Sequence, residues 1–155
     1  MVGAGFDAVS IEVWPYLTAG ASVHIVSDET KIDSACLLAW LAEHHITFCF
    51  MPTPLVELAF DQHWPDALLT SLRVLLTGGD KLHCGPSTPQ LAPLPFRFIN
   101  VYAPAECTVV TLTHSVHNAE IDPPIGRANR NTVHFVVDRH LAVVPVGVPG
   151  ELLIG

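Results

Sequence analysis

The chain has 155 residues, a formal net charge of −8, 50% hydrophobic residues and only 14% charged residues. This apolar content excludes an intrinsically disordered protein. Fifteen acidic against seven basic residues exclude the basic surface of a nucleic-acid-binding domain. The length predicts one domain of ordinary size that buries about two-thirds of its unfolded surface. So few charges in an apolar chain indicate a segment of a larger protein, with some apolar surface facing the remainder.

Targeting signals are missing from the sequence. Its richest apolar stretch, residues 46–60, is interrupted by Pro52 and Pro54, and a membrane span needs about 20 apolar residues. The first residues have no cationic region and no cleavage-site pattern. The four cysteines form neither a CxxC pair nor a disulfide-scaffold spacing. We therefore expect reduced thiols in a cytoplasmic protein.

The first third of the chain alternates between helical and strand patterns. Residues 10–19 have helical spacing and stop at Gly20, a typical C-terminal glycine. Residues 21–26 predict a short buried strand. Asp33 is the predicted N-cap of a helix that runs to His44. A βα order of this kind favours a parallel sheet covered by helices.

The alternation of predicted strands and helices continues over residues 46–102. Further strands are predicted at residues 46–51, 71–77 and 96–102. Between the first two, Thr53 is the predicted N-cap of a helix through Phe60, with Pro54 in its first turn. Residues 84–95 predict a loop with one helical turn.

The last fifty residues have a period of two. Strands are predicted at residues 108–116, 132–138 and 151–154, joined by turns that contain proline and glycine. The predicted fold class is therefore α/β, a mostly parallel sheet with flanking helices followed by the start of an antiparallel β region. We expect an α/β subdomain over residues 1–118 and a β segment over residues 119–155 that begins the next subdomain.

Ligands in parallel sheets bind beyond the carboxyl ends of the strands, and two strand ends here carry unusual residues. Leu75 to Asp80 reads LLTGGD, which brings a strand to two glycines that let a ligand approach the backbone. Asn100 to Glu106 reads NVYAPAE. An amide beside an aromatic ring can bind a planar base, and a carboxylate can hold Mg²⁺ near phosphates. Each motif alone is equally compatible with an ordinary turn.

Four motifs in order resemble an adenylation domain of a nonribosomal peptide synthetase, in the acyl-adenylate-forming superfamily. Phe6 to Val9 resembles FDxS, and NVYAPAE resembles NxYGPTE. Pro124 to Arg127, followed by a strand that ends at Asp138, resembles PIGxP leading into YVxD. Gly150 to Gly155 resembles GELxIxG. The resemblance covers essentially the whole chain and implies a flavodoxin-like subdomain.

Several features depart from the family pattern. Val9 replaces serine, Ala103 replaces glycine and Ala105 replaces a threonine whose hydroxyl contacts the nucleotide phosphate in the family. The family's phosphate loop, its ribose-binding aspartate and its C-terminal lobe with a catalytic lysine have no match in these 155 residues. The resemblance therefore implies a substrate-selecting subdomain of a larger enzyme, inactive by itself.

The resemblance also implies site residues. The enzyme would form an aminoacyl-adenylate and pyrophosphate from an amino acid and ATP, with Mg²⁺, and would then transfer the aminoacyl group to the phosphopantetheine thiol of a peptidyl carrier protein. Adenine would lie near Gly79, Asn100 and Tyr102, and Glu106 would be catalytic through Mg²⁺. The amino-acid pocket would be lined by Asp7, Ala8, Ile11, Phe50, Leu76, Gly78, Val101, Val109 and Val110. One carboxylate among apolar residues suits a branched aliphatic amino acid such as Leu, Ile or Val.

Other interpretations of these residues stay open. The apolar positions are also ordinary core residues, and Asp7 is also a candidate N-cap for the first helix. The nine histidines lack the spacing of a metal site. The alternatives for the whole chain are a segment of an acyl- or aryl-acid ligase, which has no ammonium to bind at Asp7, and an α/β binding module without catalysis.

Overall fold

The structure is a computed structural model that describes Gly3 and residues 5–155. Its helices are α1 (Val9–Thr18), α2 (Asp28–Lys31), α3 (Ser34–Glu43), α4 (Thr53–Phe60) and α5 (Asp66–Ser71). Its strands are β1 (Phe48–Pro52), β2 (Val74–Gly78), β3 (Arg97–Tyr102), β4 (Leu112–Val116), β5 (Arg127–Ala128), β6 (His134–Val137) and β7 (Glu151–Ile154). Short 3₁₀ helices occupy Pro89–Leu91 and Ala105–Cys107.

The strands form two sheets in the described part of the chain. The larger sheet has the order β1-β2-β3-β4-β5, in which β1, β2 and β3 are parallel and β4 and β5 are antiparallel. The smaller sheet pairs β6 with β7 antiparallel. The predicted α/β fold with flanking helices and a following antiparallel region is confirmed.

The two faces of the larger sheet have different surroundings. Side chains alternate between the faces along a strand, and residues paired across parallel strands point to the same side. Cys49, Leu75 and Phe98 share one face with Met51, and all four belong to the main apolar core together with buried side chains of α3, α4 and α5. The opposite face carries Phe50, Leu76, Gly78 and Val101.

The core is closed by Trp64, which is fully buried between α4 and α5. Its ring stacks on the ring of Phe96, with centroids 5.3 Å apart, and its centroid lies 6.5 Å from that of Phe60. Its indole N–H donates to the carbonyl of Ala59 at 2.9 Å. A buried indole needs such a partner, so this contact fixes the chain between the helices without an unpaired donor.

The prediction of a buried strand at residues 21–26 is wrong. This segment belongs to no sheet, and Ile25 is 90% exposed. It is attached to α3 instead, where the ring of His24 lies edge-on to Trp40 and His44. Residues with high strand propensity form a strand only where another strand pairs with them, and β1, the edge strand of the larger sheet, has β2 as its one partner among the described residues.

Smaller differences concern element ends. The N-cap of α4 is Pro52, and the hydroxyl of Thr53 instead donates to the carbonyl of Asp80 at 3.2 Å. The sequence pattern missed α5, whose six residues are too few for a clear helical period. β4 begins at Leu112, four residues later than predicted, because Thr108 has a positive φ of 73°.

No helix in the described residues is long and apolar enough to cross a membrane. All four cysteines are free thiols. Burial raises the pKa of the Cys49 thiol to about 12, so that this side chain is a neutral apolar group in the core at physiological pH.

Glu120 gives the fold a pH-dependent contribution. Its carboxylate accepts hydrogen bonds from the backbone N–H of His117 at 2.9 Å and from the ring of His114 at 2.8 Å. The His117 bond, assisted by His114, holds the pKa of Glu120 below its ordinary 4.5. A lowered pKa stabilises the fold above the ordinary value, and this contribution is lost as pH falls through the native pKa.

We therefore expect Glu120→Gln to destabilise the chain near neutral pH, and the difference from wild type to shrink as pH falls below about 4.5. Urea midpoints at several pH values measure this. Glu43→Gln, an exposed position on α3, is the control. A wild-type to variant difference that stays constant with pH would contradict the assignment.

Candidate functional site

A cavity of about 440 Å³ lies beyond the carboxyl ends of β2 and β3. It is lined by residues 79–82 and 100–104 with Pro123 and Ile125, and we call it the Tyr102 cavity. All three predicted nucleotide-binding residues, Gly79, Asn100 and Tyr102, line it. The structure thus brings together two motifs that are separated by a loop and a strand in the sequence.

Two consecutive glycines allow β2 to end at this cavity. A Cβ on Gly78 would lie 2.6 Å from the carbonyl oxygen of Val101, so no side chain fits there. Gly79 has a φ of +91°, which favours glycine, and a Cβ there would meet open space. Gly78 therefore lets β2 and β3 approach closely, and Gly79 leaves backbone accessible to a ligand.

Asn100 joins β3 to the segment 123–125, and both line the Tyr102 cavity. The residue is only 4% exposed, and its amide Nδ2 donates to the carbonyl of Pro124 at 3.1 Å. Tyr102 is half-buried at the end of β3. Its carbonyl accepts a hydrogen bond from the N–H of Thr111 at 3.0 Å, so the backbone that carries the phenol ring is fixed.

Glu106 lies four residues after Tyr102 and is exposed in the 3₁₀ helix Ala105–Cys107. The chain then turns at Thr108, where the N–H of Val109 donates to the carbonyl of Cys107 at 3.0 Å. A positive φ is strained for a β-branched residue. The turn separates the exposed carboxylate from Val109, which is buried.

Four residues of the predicted amino-acid pocket lie on the sheet face that points away from α3, α4 and α5. Phe50 pairs with Leu76, and Gly78 pairs with Val101, so these four lie in two adjacent rows. Helix α1 lies over the same face, because the ring of Tyr16 contacts Phe48 with centroids 5.2 Å apart. Three further pocket positions lie in α1 or just before it, and all three are half-buried: Asp7, Ala8 and Ile11.

Asp7 is not the N-cap of α1. The cap position is Ala8, and no side chain caps the helix. The carboxylate oxygen Oδ2 of Asp7 is buried and has no hydrogen-bond partner among the described residues. A buried carboxylate oxygen is costly unless it is paired, so this atom is suited to receive a donor from a ligand.

The predicted pocket residues do not surround one cavity in the described structure. Of the nine, Val101 alone lines the Tyr102 cavity. Phe50 alone lines a larger groove of about 700 Å³ between α1, α3, β1 and the segment 21–26. Val109 is buried and Val110 is half-buried in the segment before β4, where Asn129 Nδ2 donates to the Val110 carbonyl at 3.0 Å.

Sequence reasoning missed several residues around the Tyr102 cavity. Lys81 lines it and pairs with Asp122, with 2.7 Å between Nζ and Oδ1. Glu57 of α4 accepts a hydrogen bond from the backbone N–H of His83 at 2.8 Å. An acidic residue just before the PPIG sequence was the available signal for Asp122, whereas nothing local in the sequence pairs Glu57 with His83.

No group of three or more His, Cys, Asp or Glu side chains in the described residues is arranged to hold a metal ion. Glu106 could supply a single carboxylate. Mg²⁺ is often held by one or two carboxylates together with substrate phosphates, so a single exposed carboxylate beside the cavity fits that ion and no self-sufficient metal centre.

Comparisons with known proteins identify the family of the chain. Residues 3–155 match the family described as AMP-binding enzyme. The chain is 41% identical over 158 residues to a linear gramicidin synthase protein of Brevibacillus parabrevis, covering all of this chain and 3% of that protein. It is 38% identical over 151 residues to bacitracin synthase 1 of Bacillus licheniformis, covering 96% of this chain and 3% of that protein.

Solved structures resemble the chain over nearly its whole length. PA1221, a nonribosomal peptide synthetase protein with adenylation and PCP domains, is 28% identical with a TM-score of 0.78, covering 99% of this chain and 32% of that one. The AMPPNP-bound form of the synthetase FmoA3 gives a TM-score of 0.87 at 22% identity, over 99% of this chain and 17% of that one, which shows a shared fold.

The chain therefore spans a small part of the proteins it matches. The family match covers residues 3–155, and the same stretch carries the parallel sheet and the Tyr102 cavity. On this evidence the chain belongs to the AMP-binding enzyme family.

Proposed function

We propose that the chain is the substrate-selecting part of an adenylation domain that activates an amino acid for nonribosomal peptide synthesis. The observation that carries this proposal is the Tyr102 cavity, where Gly79 from one motif meets Asn100 and Tyr102 from another. The complete protein would form an aminoacyl-adenylate and pyrophosphate from an amino acid and ATP. The 155-residue chain alone would not catalyse this reaction. It would consist of an α/β subdomain over residues 1–118 and the start of the next subdomain over residues 119–155.

The Tyr102 cavity fits an adenine base. Tyr102 supplies a half-buried ring at the cavity wall, and stacking on a ring suits a planar base. Gly79 leaves backbone open to the cavity because a Cβ there would meet nothing. Asn100 is already bonded to Pro124, so its first role would be to hold the wall that faces the base.

Glu106 would bind Mg²⁺ on the phosphate side. Its exposed carboxylate follows closely on the cavity wall that ends at Pro104, and bound Mg²⁺ would offset the charge that develops on the leaving pyrophosphate. Ala105 offers no hydroxyl to a phosphate at the neighbouring position. The carboxylate would therefore carry more of the phosphate positioning than in family members with threonine there.

The substrate pocket would lie between α1 and the sheet face that carries Phe50 and Val101. Asp7 has a buried, unpartnered carboxylate oxygen among the described residues, which suits the ammonium group of an amino acid. Gly78 packs directly against Val101 and would add no side chain of its own. A pocket without a second charge selects aliphatic side chains, and a branched one such as Leu, Ile or Val fits best. The apolar wall would consist of Ala8, Ile11, Phe50, Leu76, Val101, Val109 and Val110.

The aminoacyl group would be transferred from the adenylate to a phosphopantetheine thiol on a peptidyl carrier protein, which forms a thioester and releases AMP. Support comes from PA1221, which contains adenylation and PCP domains. Use of ATP and the four free thiols agree with a cytoplasmic protein.

The role of Tyr102 is tested in the full-length protein that contains this chain. Tyr102→Ala should weaken ATP binding by about 1–2 kcal/mol, because one aromatic stacking contact is lost. ATP titration of amino-acid-dependent pyrophosphate exchange measures this change. Tyr102→Phe keeps the ring and is the control. Equal ATP dependence in wild type and Tyr102→Ala would show that adenine binds elsewhere.

Glu106→Gln should reduce turnover more than substrate binding. The neutral amide binds Mg²⁺ more weakly than a carboxylate does, and charge stabilisation acts most strongly in the transition state. The measurement is turnover at saturating ATP over a range of Mg²⁺ concentrations. Glu151→Gln in β7, also exposed, should behave as wild type. Unchanged turnover in Glu106→Gln would reject the role.

A panel of amino acids tests the substrate class. Charged amino acids should be rejected because their side chains would bury an unpaired charge. Leu, Ile and Val should differ from one another by only about 1–3 kcal/mol, since they differ by a methylene or a branch. A clear preference for a charged or aromatic amino acid would show that the pocket is assigned wrongly.

The same panel tests Asp7. Asp7→Ala should cost about 3–5 kcal/mol for amino acids, as the loss of a buried ion-pair partner does. Asp61→Ala, at the exposed end of α4, is the control. Activation of the corresponding carboxylic acid without its amino group, as well as the amino acid, would instead favour an acyl- or aryl-acid ligase.

A further inference from the structure

The segment from Gly79 to Gly85 leaves β2 and forms one wall of the Tyr102 cavity. It contains no helix or strand apart from a single bridge between Cys84 and Ile121. Leu82, which lines the cavity, is 1% exposed and belongs to the main core. A loop that places only one side chain in the core needs further contacts to hold its position, and the structure supplies such contacts on two sides.

Helix α4 holds this segment on its first side. The hydroxyl of Thr53 donates to the carbonyl of Asp80 at 3.2 Å. The Glu57 carboxylate accepts the backbone N–H of His83 at 2.8 Å and contacts the His83 ring at 3.2 Å. A hydrogen bond from a backbone N–H to a carboxylate is stronger than one between neutral groups, so Glu57 is the stronger of these two attachments.

The segment before the PPIG sequence holds it on the other side. The N–H of Asp122 donates to the carbonyl of His83 at 2.8 Å, and the N–H of Gly85 donates to the carbonyl of Glu120 at 2.8 Å. The ammonium of Lys81 lies 2.7 Å from the Asp122 carboxylate. The hydrogen bond from Lys81 and its charge lower the pKa of Asp122, which keeps this carboxylate ionised at neutral pH.

Asp122 also begins the facing wall. The next residue, Pro123, is buried and lines the Tyr102 cavity, as does Ile125. Pro124 between them is fixed to β3 by Asn100. The contacts of Asp122 therefore join the two walls of the cavity directly, one wall carrying Lys81 and the other carrying Pro123 and Ile125.

We propose that Glu57 and Asp122 are positioning residues for the nucleotide: they fix the separation of the two cavity walls by holding the segment 79–85 from opposite sides. The inference rests on the proposed nucleotide site. It does not require either carboxylate to touch ATP. Lys81 and Asp122 are more than half exposed, and exposed ion pairs add little to overall stability, so their loss should change cavity geometry more than folding.

The test is steady-state pyrophosphate exchange by the full-length protein that contains this chain. Asp122→Ala and Glu57→Ala should each raise KM for ATP by about 2- to 5-fold while KM for the amino acid stays within about 1.5-fold. Asp28→Ala removes another exposed Lys–Asp pair, Lys31–Asp28, which lies outside the Tyr102 cavity, and should leave both constants unchanged.

Two rescue variants separate positioning from general destabilisation. Glu57→Gln retains an oxygen that can accept the His83 N–H and should recover most of the ATP affinity. The double variant that exchanges the pair, Lys81→Asp with Asp122→Lys, should bind ATP more tightly than a variant with only one of these two changes. Melting temperatures of all variants are measured alongside, and they should lie close to that of the wild type.

The outcomes distinguish this inference from the proposed function. An unchanged KM for ATP in both alanine variants, with exchange activity intact, would overturn the positioning role alone. A rise of both KM values together with a lowered melting temperature would also overturn it, because the residues would then be structural. Absence of amino-acid-dependent exchange in the wild-type full-length protein would instead overturn the proposed function.

Discussion

The parallel pairing of β1, β2 and β3 is the constraint on which the rest of the molecule depends. Because the three strands share one direction, their carboxyl ends meet at one edge, and the motifs that follow β2 and β3 become neighbours there. The same register separates the faces. Leu75 and Phe98 are directed toward the helices, while Leu76 and Val101 are directed to the other side. Predicted binding residues and core residues thus alternate within single strands.

Close approach of β2 and β3 at their ends is part of this constraint. Gly78 admits no Cβ because the Val101 carbonyl lies too near, and Asn100 uses its amide to hold Pro124. Both residues belong to motifs that were interpreted from sequence as ligand contacts. In the structure their first effect is on backbone placement: one lets two strands converge and the other fixes a loop. A residue of a binding motif can act by shaping the cavity as well as by touching its ligand.

The sequence was sufficient for the elements whose signals are local. The helix predicted to start at residues 33–34 begins there, with Asp33 as N-cap accepting hydrogen bonds from the N–H groups of Ala35 and Cys36, and the strand that ends at Tyr102 is placed within a residue. It was insufficient where the outcome depends on a distant partner. Residues 21–26 have strand composition but pair with no strand in the described structure, and α5 is too short to show a period. Glu57 and His83 are 26 residues apart, a distance at which no local pattern connects them. The candidate site divides in the same way. Gly79, Asn100 and Tyr102 belong to motifs that follow adjacent strands, and they line one cavity, while their role toward a nucleotide stays a prediction. The nine pocket positions rest on resemblance alone, because the apolar residues among them are also ordinary core residues.

The position of β1 has a consequence for how the isolated chain behaves in solution. It is the outermost strand of the larger sheet in the described residues, and it carries Phe48, Cys49, Phe50 and Met51 in succession. Proteins commonly protect such an edge with charged residues or a bulge, because unpaired peptide groups accept a strand from another molecule. Here the sequence offers neither until Pro52 ends the strand. Self-association through this edge, rising with protein concentration, is therefore a solubility hazard of the chain when it is handled alone.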